Sequence, residues 1–139
     1  MRYLLATDTI LNILKGDQKT VDLVMAVSKI GKQAISLLSC TEILKQIPED
    51  KKKPVEQFLQ AHQLLSINFE ISRLASQLWQ KQEKKAFGLT MNDCLLMAQA
   101  QYYDLDILSK SNRYLPIEDI KAINIDKKRK KKEMKKIKN

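Results

Sequence analysis

Two carboxylates and one conspicuous alanine mark where this chain could do chemistry. Glu42 opens a helical stretch after the apolar run Ala34–Leu38, and Asp93 stands in the first turn of a helix that begins near Asn92. Ala6 closes the first apolar run, at the place where an α/β domain commonly presents an acid. A fourth segment, Ser109-Lys110-Ser111, follows the run Leu105–Leu108. In an open parallel sheet these positions fall outside the carboxyl ends of the strands, where ligands bind. Carboxylates converging there without partnering lysines repel one another and call for a hard cation with oxygen ligands, Mg²⁺ or Mn²⁺. Such a site activates water and steadies the charge of a phosphodiester transition state. Taken singly, each acid has a plainer explanation: an acid in a first helical turn is stabilised by free N–H groups and the helix dipole. Asp8 likewise reads as a helix cap, with a second role as a nearby substitute ligand.

The elements that must carry these residues alternate. Strand-like runs at Arg2–Thr7, Ala34–Leu38, Leu64–Ile67, Leu105–Leu108 and Ile120–Ile125 are separated by stretches with helical apolar spacing. Helices are expected from Asp8 or Thr9 to Lys15, over 18–30, from Thr41 to before Pro48, from Pro54 to His62, over 69–86 and from Asn92 to Tyr103. Glycines at 16, 31 and 88 punctuate them. The alternation predicts an α/β fold, a short parallel sheet of four or five strands covered by helices on both faces.

Of 139 residues, 44% are hydrophobic, enough for one core. The formal net charge of +9 is concentrated in one place: residues 127–139 carry nine Lys/Arg and one Glu, leaving sixteen basic against fifteen acidic residues elsewhere. A domain over 1–125 and a basic, disordered tail over 126–139 are therefore expected. The tail is either a solvated solubility aid or a phosphate-neutralising arm. No apolar run is long enough to span a membrane, and the first residues read as a strand rather than a signal peptide. Cys40 and Cys94 lie in apolar surroundings with no CxxC or Cys/His cluster, which predicts reduced core thiols in a cytoplasmic protein. The three glycines form no GxGxxG or phosphate loop, which argues against a nucleotide binder. His62, the one histidine, sits away from the acids and reads as structural.

Four segments in order carry a family resemblance. Tyr3-Leu4-Leu5-Ala6-Thr7-Asp8-Thr9, Ser39-Cys40-Thr41-Glu42-Ile43-Leu44, Asn92-Asp93-Cys94-Leu95-Leu96-Met97-Ala98 and Leu105-Asp106-Ile107-Leu108-Ser109-Lys110-Ser111-Asn112-Arg113-Tyr114-Leu115 resemble the motifs of PIN domains, and more narrowly of VapC-type toxins. The resemblance implies a PIN-like three-layer fold. It also implies a Mg²⁺-dependent endoribonuclease (Mn²⁺ an alternative), held inactive by a cognate antitoxin protein and forming a homodimer. Glu42 and Asp93 fall on two of the family's acids, and Ala6 on the position of a third. Ser111 falls where the family has Asn or Asp. An aspartate at position 6 would complete the metal set, and in-line water attack would leave a 3′-hydroxyl and a 5′-phosphate. Ser111 and Arg113 are candidate RNA contacts.

With Ala6 the expectation is weak metal binding and no cleavage. An introduced aspartate-to-alanine change would leave the flanks Leu4-Leu5 and Thr7-Asp8-Thr9 intact, as they are. The further departure at Ser111 fits a natural pseudoenzyme that binds RNA or antitoxin without cutting. In that second reading the apolar helices over residues 9–30 form a groove for an antitoxin segment.

Overall fold

A computed structural model describes residues 3–28, 33–83, 88–115 and 120–124. The chain runs β1 (Tyr3–Leu5), α1 (Thr7–Leu14), α2 (Gln18–Ser28), β2 (Gln33–Ser36), α3 (Leu37–Leu44), a 3₁₀ turn (Glu49–Lys51), α4 (Lys52–Gln60), β3 (Gln63–Leu65), α5 (Phe69–Glu83), α6 (Met91–Tyr103), β4 (Asp106–Ser109) and β5 (Ala122–Asn124). The five strands form one parallel sheet in the order β3-β2-β1-β4-β5. The expected α/β class and parallel sheet are what is observed. The basic residues 127–139 and the helix stop at Gly31 lie outside the described residues.

Why β1 sits in the middle follows from its composition. Tyr3, Leu4 and Leu5 are all buried, so neither face could meet water. Its side chains alternate between two cores. Leu4 joins Ala34, Ile71, Ala75, Met97 and Ile107 under α5 and α6. Tyr3 and Leu5 join Ile10, Ile35, Ile43, Leu59 and Leu108 under the helices α1 to α4. The sheet is thus the middle of three layers.

Chain connections leave β1 and β4 in opposite directions across the sheet, which opens a crevice at their carboxyl ends. That edge is held together by backbone. The Ala6 N–H donates to Leu108 O at 2.9 Å, and the buried Thr9 hydroxyl donates to the same carbonyl at 2.9 Å. Cys40 and Cys94 are free and buried, and burial pushes both thiols above their usual range. Among the described residues no helix is long and apolar enough to cross a membrane.

Several boundaries differ from expectation: α1 starts at Thr7 with Ala6 at its N-cap, so neither Asp8 nor Thr9 caps it, α4 starts at Lys52 rather than Pro54, and β3 covers Gln63–Leu65 rather than Leu64–Ile67. The run Ala34–Leu38 is strand only as far as Ser36, and the following helix starts at Leu37 rather than Thr41. Ser36 is the reason: its hydroxyl accepts from Leu38 N–H at 3.1 Å and caps the helix. The last helix before β4 begins at Met91, capped by Thr90.

Candidate functional site

Position 6 is the pivot between β1 and α1. Ala6 is the N-cap residue of α1, with φ −69° and ψ 157°, and lends that helix no side-chain cap. It is 1% exposed and belongs to the core that contains Cys94 and Leu96. One residue on, the Thr7 hydroxyl donates to Ser39 Oγ at 2.9 Å and ties α1 to α3. Asp8 turns elsewhere. Its carboxylate accepts from Ser109 Oγ at 2.9 Å, with Thr9 Oγ1, the donor to Leu108 O, 3.2 Å away.

Glu42 occupies the sixth position of α3, past the first turn, so no capping duty accounts for it. Its carboxylate accepts from Asn92 Nδ2 at 3.3 Å, across fifty residues of chain, and pairs with Lys45 Nζ at 2.8 Å. Asp93 is a different case. It is 6% exposed and forms a capping box at the start of α6: Thr90 N–H donates to Asp93 Oδ2 at 2.9 Å, and Asp93 N–H donates to Thr90 Oγ1 at 3.1 Å. Arg113 Nη1 lies 3.2 Å from Oδ1 and 3.3 Å from Oδ2, and Tyr114 donates its hydroxyl to Oδ1 at 3.0 Å. A carboxylate offers about four lone-pair positions, and these four contacts take them. Electrostatics agree with the geometry. The Asp93 charge raises the Arg113 pKa, and burial followed by the Asp93 charge raises that of the Tyr114 phenol.

A small open cleft brings these groups together, lined by Thr7, Leu38, Ser39, Glu42, Asn92, Asp93, Leu96 and Tyr114. Two of the predicted acids, Glu42 and Asp93, therefore share one cavity. Asp8 and Ser111 are not in its lining. Ser111 instead sits beside Ser109, its N–H donating to Ser109 Oγ at 3.0 Å. The Asp8 carboxylate is held by Ser109, and its charge reaches the cleft-lining Tyr114, whose phenol pKa it helps to raise. Among the described residues no three of His, Cys, Asp and Glu gather in a way that could hold a metal. Mg²⁺ takes octahedral oxygen ligation and needs free carboxylate oxygens. Glu42 with an already saturated Asp93 does not fit such an ion.

The sequence profile of the PIN domain matches residues 3–119. This chain belongs to the PIN domain family. Its fold is similar to that of a chain in VapBC2 from Rickettsia felis bound to a DNA fragment from their promoter (TM-score 0.77, 16% identity, covering 88% of this chain and 98% of that one). It is similar also to a chain in DNA-bound VapBC from Salmonella typhimurium (0.78, 16%, 88% and 97%) and to one in VapBC-1 from nontypeable Haemophilus influenzae (0.77, 17%, 91% and 99%). No curated protein matches the sequence significantly.

In this PIN domain the residues that sequence reasoning missed are Asn92, which bridges to Glu42, and Tyr114, which seals Asp93. Asn92 was visible beside Asp93, yet its reach to Glu42 depends on how α3 and α6 approach. Tyr114 lies beyond β4 in a segment without helical or strand periodicity, and nothing local announces its contact. Arg113, a candidate RNA contact, pairs with Asp93 and keeps its side chain 51% exposed. His62 bonds through Nδ1 to Phe58 O at 2.8 Å and packs on the Phe58 ring, away from the cleft.

Proposed function

We propose that this chain is the toxin-type member of a toxin–antitoxin pair, a PIN domain on an endoribonuclease plan whose Ala6 form engages its partner protein without cleaving RNA. The observation that carries the reading is Glu42 and Asp93 lining one cleft at the carboxyl edge of the sheet in a PIN chain. Likeness to VapBC chains over nearly their whole length supports an antitoxin as the partner. RNA is the substrate class of the parent activity and Mg²⁺, with Mn²⁺ as alternative, its cofactor. An acid at position 6 supplies the third carboxylate that a hard cation requires. A homodimer, a cytoplasmic location, and a division into a PIN domain over 1–125 and a basic tail over 126–139 complete the reading.

The test has two arms. The protein is co-expressed with the product of the adjacent gene and purified through one tag, and co-elution in fixed proportion is expected. RNA is then incubated with the Ala6 protein and with Ala6→Asp at millimolar Mg²⁺. The reading expects intact RNA with the first and cleavage with the second. Intact RNA with a folded Ala6→Asp protein removes the nuclease part of it.

A second reading, a binding module with no cleaving parent, is favoured by one observation: the lone pairs of Asp93 are already engaged by Arg113, Tyr114 and Thr90. Here the helices α1 and α2 receive the antitoxin. Leu11, Ile13, Leu14 and Leu23 pack part-buried against the core, and Met25 is 64% exposed.

A further inference from the structure

The mismatch between the cleft and a metal ion has a second cause besides Ala6. We propose that Arg113, seated by Tyr114, is a resident counter-cation for Asp93 that weakens divalent-metal binding in the cleft whichever residue stands at position 6. The proposal rests on the reading of the cleft as a carboxylate site on a metal-using plan, not on the identity of the protein partner.

Three observations lead there. Arg113 Nη1 spans both oxygens of Asp93, at 3.2 and 3.3 Å, so the guanidinium stands against the very atoms a metal would need. Tyr114 is buried and fixes Oδ1 from a second direction at 3.0 Å, while the capping box fixes Oδ2. The carboxylate therefore cannot turn toward a ligand without breaking a cap, a charge-assisted bond and a buried hydroxyl bond together. Charge points the same way: each cleft acid already has a cationic partner, Glu42 in Lys45 and Asp93 in Arg113. Arg113 itself is reachable: its side chain is 51% exposed, and it follows β4 on a surface turn, where replacement leaves the core intact.

An oxygen-only competitor such as a water shell would yield to Mg²⁺, but a covalently tethered guanidinium is always present at high local concentration. Removing it returns two lone pairs to Asp93 and one negative charge to the cleft. At an aqueous dielectric constant, one unit charge a few ångströms from a divalent ion changes affinity by about tenfold.

The experiment measures Mn²⁺ binding, by titration calorimetry and by the loss of the free-ion electron spin resonance signal, on the full chain. Arg113→Gln is made in the present protein and again with Ala6→Asp, beside Arg113→Lys as the charge-keeping control. In both backgrounds Arg113→Gln is expected to bind Mn²⁺ about tenfold tighter than its own parent, with Arg113→Lys unchanged. Because Arg113→Gln alone is a surface change, the comparison stands even where Ala6→Asp folds poorly. Equal affinity of parent and Arg113→Gln in the folded proteins overturns the proposal, as does equal tightening by Arg113→Lys. Failure of the toxin reading shows separately, as absence of a co-eluting partner or of RNA cleavage.

Discussion

Glu42 and Asp93 face one cleft, yet the protein uses them in opposite ways. Asp93 is 6% exposed and holds a helix start, an arginine and a buried tyrosine hydroxyl. Glu42 is part-exposed, beyond the first turn of its helix, and among the described residues its carboxylate bonds to an asparagine amide and a surface lysine. An acid with a structural occupation says little about chemistry, because the fold alone explains its presence. Glu42 has no such occupation, so the chemical argument for this cleft leans on Glu42 more than on its better-bonded neighbour.

The contrast is sharpest in stability. Asp93→Ala removes a capping box, worth about 1 kcal/mol, and strands the buried Tyr114 hydroxyl, worth about 1–3 kcal/mol. A loss of about 2–4 kcal/mol is expected, read from urea denaturation. The Arg113 pair adds little to that figure because its exposed side is screened by solvent. A loss below about 1 kcal/mol would mean that Asp93 is no more structural than Glu42.

Ala6→Asp probes the same cleft from the β1 side. Position 6 is 1% exposed and lies in the apolar cluster with Cys94 and Leu96, so an unpaired carboxylate there costs about 2 kcal/mol or more. If Arg113 is the only competitor for metal, millimolar Mg²⁺ restores part of this in Ala6→Asp/Arg113→Gln and less in Ala6→Asp, seen as a metal-dependent rise in melting temperature. Identical metal response in both would erase the distinction between a missing ligand and an occupied one.

Tyr114 sharpens the comparison through pH. Its phenol pKa is raised in the fold, by burial first and by the Asp93 charge second. The unfolded chain gives up that proton near pH 10 while the native state keeps it. The contribution is therefore complete below about pH 10 and is lost as pH rises from there. Tyr114→Phe is expected to lower stability by about 1–2 kcal/mol at neutral pH and to flatten its fall above pH 10. Some decline persists in the variant, since the raised Cys40 and Cys94 thiols act in the same direction. A fall as steep as the parent's would remove Tyr114 as its source.

How much of this was legible without coordinates follows the range of each interaction. The central strand is readable because Tyr3, Leu4 and Leu5 form an apolar run that stops where the polar Thr7-Asp8-Thr9 begins. Asp93 is readable as a first-turn acid, but its capping box is not, because an expected start at Asn92 leaves Thr90 outside the cap position. The start of α3 was misplaced by four residues, because a short apolar run cannot be told from a buried helix and Ser36 hides within it. A helix start at Thr41 would put Glu42 in the first turn, whereas the true start at Leu37 puts it sixth, clear of any cap. The Arg113 and Tyr114 contacts span twenty and twenty-one residues and depend on how the turn after β4 folds back over α6, a tertiary matter with no local trace.

The smallest stability effect is the most telling for function. Glu42→Ala gives up one exposed ion pair to Lys45 and a long bond from Asn92, interactions that contribute about 0.5 kcal/mol or less at a part-exposed site. Melting should hardly move. If Glu42 is the chemical acid and Asp93 chiefly the structural one, the same change in the Ala6→Asp protein abolishes any RNA cleavage that protein gains, while its fold stays intact. Such a split between stability and activity cannot be obtained from Asp93→Ala, where lost cleavage and lost folding arrive together. Cleavage by Ala6→Asp/Glu42→Ala at the rate of Ala6→Asp would reverse the assignment and return the chemistry of the cleft to its most heavily bonded residue.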